Sequence, residues 1–325
     1  MRMITVRNVK SLLFLLLFTV SLTGFSQSMK EAVDAFNEGA SLSKSNPEGA
    51  IEAFNKCIGI SEKLGDDGSE TKEKAEAQLP LLYYTVAINN YKKKDFDAAI
   101  AGLEEAKTVS DKYGNAEISK KSSAVIPQIY YAKGSTEYKS KEYDAALASM
   151  DKAAELNPKY AKPFLVKATI YKAQGNTEQM LAACDKAIEI GSTGDKKTAG
   201  SAKKLAKNTM FNNAVAAIGA KNWAEAERNL KSSIKYGNDS PDVHYQLGKV
   251  YVAQKKWDSA IESLNAAIQG DTGDAAAKAK YYYELGNAFV GKGDNASACS
   301  AFKNAQYGDY AQNAKYQIET VLKCN

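Results

Sequence analysis

This chain of 325 residues holds one histidine, His244, two tryptophans and four cysteines. A lone imidazole with no CxxC pair leaves no zinc motif, and it has no partner to make it a catalytic base. No GxSxG nucleophile elbow occurs. After residue 26 the only arginine is Arg228, and every other cation except His244 is a lysine. Arginine forks are the preferred readers of phosphate and base edges. With no basic run either, nucleic acid is a poor candidate, and no nucleic-acid partner is expected. No stretch beyond the first residues is apolar enough to cross a bilayer. No cysteine follows the leading apolar run, so a lipid anchor at a new N-terminal Cys is not expected.

What the first residues do carry is an export signal. Arg2, Arg7 and Lys10 form a basic region, Leu12 to Leu22 a short apolar run, and Gly24-Phe25-Ser26 a small-residue cleavage site. Cleavage is expected after Ser26 or Gln27, giving a signal over residues 1–26 and an exported mature chain, periplasmic or secreted. An uncleaved anchor is the alternative reading. Removing the three cations of that segment takes the formal charge from +5 to +2, since it holds no acid.

The remainder repeats. A small residue recurs as Ala50, Ala99, Ala146, Met180 (a substitution), Ala226, Ala260 and Ala298, in steps of 49, 47, 34, 46, 34 and 38. Three before it stand Pro47, Phe96, Tyr143, Thr177, Trp223, Trp257 and Asn295. Four after it stand Phe54, Leu103, Met150, Cys184, Leu230, Leu264 and Phe302. Seven after it stand Cys57, Ala106, Ala153, Ala187, Ser233, Ala267 and Ala305. Offsets of 3, 4 and 3 mark one face of a helix. A preceding helix shows its own series, as in Leu247-Gly248 with Tyr251 and Leu285-Gly286 with Phe289. Pro80, Pro127 and Pro241 are each predicted at the first position of such a helix, where proline's missing N–H costs nothing.

These series resemble the tetratricopeptide repeat, most closely over Pro241 to Thr272 and in the stretch Tyr143 to Pro158. Departures exist: the glycine of the first helix becomes Ala87, Ala168 and Ala214, and the closing proline appears only as Pro158. The resemblance implies an all-α, right-handed solenoid of seven hairpins, each made of a helix A and a helix B. Their expected bounds are 28–64, 71–112, 121–158, 161–192, 199–238, 241–273 and 276–308. A capping helix is expected within 309–324, with Tyr316, Ile318, Val321 and Leu322 among its polar residues. Insertions at Gly65 to Ser69, Lys112 to Ser122 and Gly191 to Gly200 read either as longer helices and turns or as an added recognition edge.

Chemistry-bearing constellations are few. Gly286 to Gly293 approaches a phosphate loop but ends in Gly, lacks a preceding strand and coincides with repeat glycines. Asp66-Asp67 and Asp271 to Asp274 lack calcium-loop spacing. No cofactor and no metal is expected, and His244 reads as a packing residue. Cys57 and Cys184 fall at small buried positions as free thiols. Cys299 and Cys324 lie on the last two packed helices, and their spacing leaves open whether they bond.

The informative residues are aromatic. Tyr83-Tyr84, Tyr130-Tyr131 and Tyr282-Tyr283 begin three A helices. The resemblance implies that the first of each pair packs and the second faces a concave groove. By that phase Tyr84, Tyr91, Lys92, Tyr131, Tyr138, Lys139, Lys172, Tyr245, Lys249 and Tyr283 face inward. Tyrosine offers large contact area at small entropic cost, and lysines among tyrosines suit an extended peptide bearing carboxylates. The positions of the family's carboxylate clamp hold Tyr, Leu, Phe and Thr here, with only Asn287 conforming. The expectation is a non-catalytic scaffold binding a peptide or protein in the groove. The alternative is an assembly component of a cell-envelope or secretion complex, docking through its ends or insertions.

Overall fold

The computed structural model describes residues 26–324, so the basic and apolar parts of the expected leader lie outside the described residues. Among the described residues every regular element is helical. The chain divides into two compact units, one ending at Pro163 and one starting at Phe164.

The first unit opens with α1 (residues 26–42) and α2 (Pro47–Lys63). It continues with α3 (Ser69–Glu76), α4 (Leu79–Lys92), α5 (Phe96–Lys112), α6 (Ala116–Lys139) and α7 (Tyr143–Leu156). The division falls inside α8 (Ala161–Ala173). The second unit holds α9 (Thr177–Gly191), α10 (Lys196–Gly219), α11 (Trp223–Lys235) and α12 (Pro241–Ala253). It ends with α13 (Trp257–Gly270), α14 (Ala275–Lys292), α15 (Asn295–Asn304) and the short α16 (Ala311–Tyr316). Hairpins form from α4 with α5, α6 with α7, α10 with α11, α12 with α13 and α14 with α15.

The repeat positions explain the packing. Every residue of the small, large, small series, from Ala50-Phe54-Cys57 to Ala298-Phe302-Ala305, is 1 % exposed or less. One hairpin cannot hide its own apolar stripe, so each leans on its neighbours. Helix A and helix B approach closely at the helix-A glycine. A Cβ on Gly286 would lie 2.6 Å from the Phe302 ring.

The turn between helix A and helix B is built the same way six times. Lys94, Lys141, Gly175, Lys221, Lys255 and Gly293 all have positive φ, between 57° and 84°. Each N–H donates three residues back, as Lys141 does to Tyr138 O. The next residue donates five back, as Asp95 does to Asn90 O and Asp294 to Phe289 O. This is the Schellman closure of helix A. In four turns that next residue also opens helix B. The side chains of Asp95, Asn176, Asn222 and Asp294 accept from the N–H three residues on. One residue thus satisfies orphan backbone groups of two helices.

Three expectations change. Pro127 does not start a helix; it lies inside α6. The insertion before it folds as helix because Asn115 caps it, accepting from Ile118 N–H at 3.0 Å, and Glu117 pairs with Lys121. Pro80 is the second residue of α4, and Pro241 is the first of α12. The insertion at Gly191 to Gly200 likewise supplies the start of α10, capped by Asp195. That at Gly65 to Ser69 becomes a 3₁₀ turn leading into α3. The C-terminal cap is shorter than expected. A 3₁₀ turn (Gly308–Tyr310) precedes α16, and a π-turn (Gln317–Val321) follows it. Ala314 and Ile318 are its buried contacts, whereas Tyr316 and Val321 are 57 % and 49 % exposed. Widening to π bonding turns the side chains out of a single helical phase.

Candidate functional site

Helix A of each hairpin supplies the face of interest. On α4, Leu81, Tyr84, Ile88 and Tyr91 follow one another at spacings of 3, 4 and 3, and so lie on one face. On α6, Gln128, Tyr131, Ser135 and Tyr138 repeat that spacing, and α4 packs against α6. The first unit therefore gathers six of the expected residues: Tyr84, Tyr91 and Lys92 on one helix, Tyr131, Tyr138 and Lys139 on its neighbour.

Each tyrosine here is half-buried and held from behind by a ring or core side chain. Tyr84 packs on the cluster around Leu103 and Ile129. Tyr91 sits 6.1 Å from Phe96, Tyr131 5.4 Å from Tyr160, and Tyr138 6.2 Å from Tyr143. Lys92 and Lys139 end their helices with exposed side chains, where cations favour the helix dipole. Leu81 is 57 % exposed on the same stripe. Leu81 and Ile88 belong to this face although the tyrosine pairs alone did not point to them. The 3, 4, 3 spacing was the signal that reached them.

The second unit arranges its residues differently. Lys172, near the end of α8, is exposed. Lys249 lies on α12, 5.3 Å from the ring centre of Tyr245, and Lys280 on α14 lies 5.6 Å from it. Tyr245 was expected on an open inner face, but it is buried, in edge contact with Tyr281 at 5.3 Å. Burial, and then the neighbouring Tyr310 side chain, push its phenol well above the usual tyrosine range. Tyr283 lies between Phe302 at 5.5 Å and Tyr310 at 5.4 Å, and burial raises its phenol too. In the run Tyr281-Tyr282-Tyr283 the fully packed ring is Tyr281, 1 % exposed, whose hydroxyl donates to Asp271 at 2.8 Å. Tyr310 lies far along the chain, and no local pattern marked it.

Other polar groups have packing roles. His244 Nε2 is 2.6 Å from Asp239 Oδ1, at the edge of a cleft of about 240 Å³ with Tyr251, Ser259 and Glu262. The same cleft recurs in an earlier hairpin, where Phe164 and Tyr171 occupy the positions of His244 and Tyr251. The repeat geometry makes such a cleft whatever residues line it. Cys57 and Cys184 are free and buried, and desolvation raises the Cys184 thiol to about 12, which keeps it protonated and inert. Cys299 and Cys324 are joined, with Cα atoms 5.8 Å apart. Among the described residues, no group of three His, Cys, Asp or Glu side chains could hold a metal ion, and no helix is long and apolar enough to cross a membrane.

Family models described as tetratricopeptide repeat match residues 127–160, 161–190 and 217–281. No curated protein matches the sequence. Among solved structures, one titled "Crystal structure of MamA protein" is 19 % identical and covers 61 % of this chain and 96 % of its own, with a TM-score of 0.34. A tetratricopeptide repeat protein from Parabacteroides merdae is 14 % identical, covering 91 % of this chain and 100 % of its own at a TM-score of 0.30. YrrB, titled a TPR protein with an unusual peptide-binding site, is 16 % identical, covering 60 % and 88 % at a TM-score of 0.31.

Proposed function

We propose that this chain, which carries tetratricopeptide repeats across residues 127–190 and 217–281, binds a peptide or protein segment on the helix-A face of its first unit. It performs no chemistry on what it binds. One observation carries the reading: Leu81, Tyr84, Ile88 and Tyr91 form an apolar stripe on α4, beside Tyr131 and Tyr138 on α6, with Leu81 mostly in water. The rings are braced from behind, so a ligand meets surfaces that lose little freedom on binding. Lys92 and Lys139 stand at the C-terminal ends of the same two helices. The ligand this suits is an extended segment with apolar side chains and a carboxylate.

The reading includes export. Arg2, Arg7 and Lys10, the run Leu12 to Leu22 and the small residues after it are what support it. N-terminal sequencing of the protein from the cell envelope should start at Gln27 or Ser28. Recovery of the full N-terminus in the cytoplasm would overturn export.

The binding face is tested by affinity capture from native envelopes, read by mass spectrometry. Wild type is compared with Leu81→Lys and with a Tyr84→Ala, Tyr131→Ala, Tyr138→Ala triple variant. The expected result is loss of the captured partner with both variants, while circular dichroism keeps the helical signal. Equal recovery by a folded triple variant would refute this face.

A further inference from the structure

We propose that the helix-A face of α12 and α14 binds a tyrosine that neighbours an acidic residue, and that the chain fills this site with its own Tyr310 while the Cys299–Cys324 disulfide stands. Tyr245 and Tyr283 occupy the repeat position that Tyr84 and Tyr131 occupy in the first unit. Tyr84 and Tyr131 remain half-exposed there, whereas Tyr245 is buried. Tyr281 packs on Tyr245, and the 3₁₀ turn after α15 closes over Tyr283 on the neighbouring helix. The Tyr310 ring lies 5.4 Å from Tyr283, and the turn that carries it packs on α14. Lys249 and Lys280 flank Tyr245 within 5.3 and 5.6 Å, and Asp309 precedes Tyr310 in the turn. Two cations beside an aromatic floor complement a ring that has a carboxylate next to it.

The segment that carries Tyr310 is thinly held. Gln306, Tyr307, Gly308 and Asp309 are exposed, and its buried anchors are Ala305, Ala314 and Ile318. Its far end is tied back to α15 through Cys324. The bonded cysteines line an open cleft of about 450 Å³ with Ser300 and Leu322, so a small thiol reaches them. A dithiol reductant breaks the S–S bond by transferring two electrons and two protons. Cys299 and Cys324 become thiols, and the reductant closes its own disulfide. Without the covalent closure, the segment gains the chain entropy that the bond had removed. Tyr310 then competes less well, because tethering had given it a high effective concentration.

The full chain is tested with a fluorescent peptide copying residues 306–313, followed by anisotropy. The oxidised wild type should bind it weakly. Reduction with dithiothreitol, or Tyr310→Ala in the oxidised chain, should tighten binding at least tenfold. Adding Tyr283→Ala to Tyr310→Ala should abolish it, as should alanine at both peptide tyrosines. Hydrogen exchange on the wild type provides a reading that no variant can confound. Amides 306–322 should exchange at least tenfold faster on reduction, while those of α12 stay unchanged. Unchanged exchange, or one peptide affinity shared by the oxidised, reduced and Tyr310→Ala chains, would overturn the proposal. Tyr131 and Tyr138 are no part of this face, so the outcome is independent of the first unit's binding test.

Discussion

A Cβ on Gly248 would lie 2.5 Å from Cγ of Leu264, the large residue of the facing helix B. The backbones of α12 and α13 approach as closely as they do because that atom is missing. In the hairpin of α4 and α5 the arrangement is reversed. Helix A there carries Ala87, and the facing residue is Gly102, whose Cβ would meet the Ala87 Cβ at 2.9 Å. One of each facing pair stays small.

Alanine at Gly248 is therefore expected to destabilise. Overpacking costs ~1–3 kcal/mol, and the better helix propensity of alanine returns about 1 kcal/mol. The net loss should be up to about 2 kcal/mol. Gly102→Ala should behave alike, whereas Gly59→Ala, with nothing within 4 Å of the added atom, should stabilise. Urea unfolding followed by circular dichroism measures all three. A stabilised Gly248→Ala would show that the hairpin is not limited by this contact.

Lysine in the left-handed region is the second point of strain. Lys94, Lys141, Lys221 and Lys255 hold the turn position that Gly175 and Gly293 hold elsewhere. An L side chain in that conformation costs ~1–2 kcal/mol, part of which glycine's greater freedom when unfolded cancels. Each Lys→Gly change should stabilise by about 0.5–1 kcal/mol. The reverse test is cleaner. A Cβ at Gly175 or Gly293 meets nothing within 4 Å, so alanine there alters backbone strain and not packing. Gly175→Ala should lose about 1 kcal/mol in thermal unfolding, and no loss would mean that the turn can relax.

These two devices differ in how readable they were. The small, large, small series shows in the sequence because packing demands residue size at every repeat, and all of those positions are buried. The turn lysines do not show. A lysine with positive φ resembles any surface lysine, and the closure is made by backbone groups that side chains do not encode. Pro127 misled for a related reason. Proline usually marks a helix start, but the Asn115 cap upstream commits the chain to helix before Pro127 is reached. Of the candidate face, the first unit's tyrosines follow from local spacing on α4 and α6. The burial of Tyr245 involves Tyr281, which arrives from a different repeat, and no periodicity reports that.

Tyr236 offers a test of packing across hairpins. Its ring is 8 % exposed, and its hydroxyl donates to Asp185 at 2.8 Å, linking the end of α11 to α9. Burial, and then that bond, raise its phenol above the usual range. Phenylalanine there keeps the packed ring and removes the bond, so it should cost about 1 kcal/mol. Alanine should cost ~3–5 kcal/mol, as truncated core aromatics do. If Tyr236→Phe matched Tyr236→Ala, the hydrogen bond and not the ring would join the two hairpins.

The acid response is expected to centre on Glu227. Burial pushes its carboxyl up, but hydrogen bonds from Lys231 and Lys256, both at 2.7 Å, outweigh that and hold it at about 2. An unfolded glutamate titrates near ~4.3. The native carboxylate thus binds its proton at lower pH than the unfolded one. Its contribution is complete above the unfolded value and is lost as pH falls through the folded one. A shift of that size corresponds to at most ~3 kcal/mol. Water screens the two lysines, which are 58 % and 49 % exposed, so about 1–2 kcal/mol is expected. Urea unfolding of wild type and Glu227→Gln should differ by that amount at neutral pH. The gap should narrow below the unfolded glutamate value and close as pH approaches about 2. A gap that stayed constant down to that pH would assign Glu227 a packing role in place of an electrostatic one.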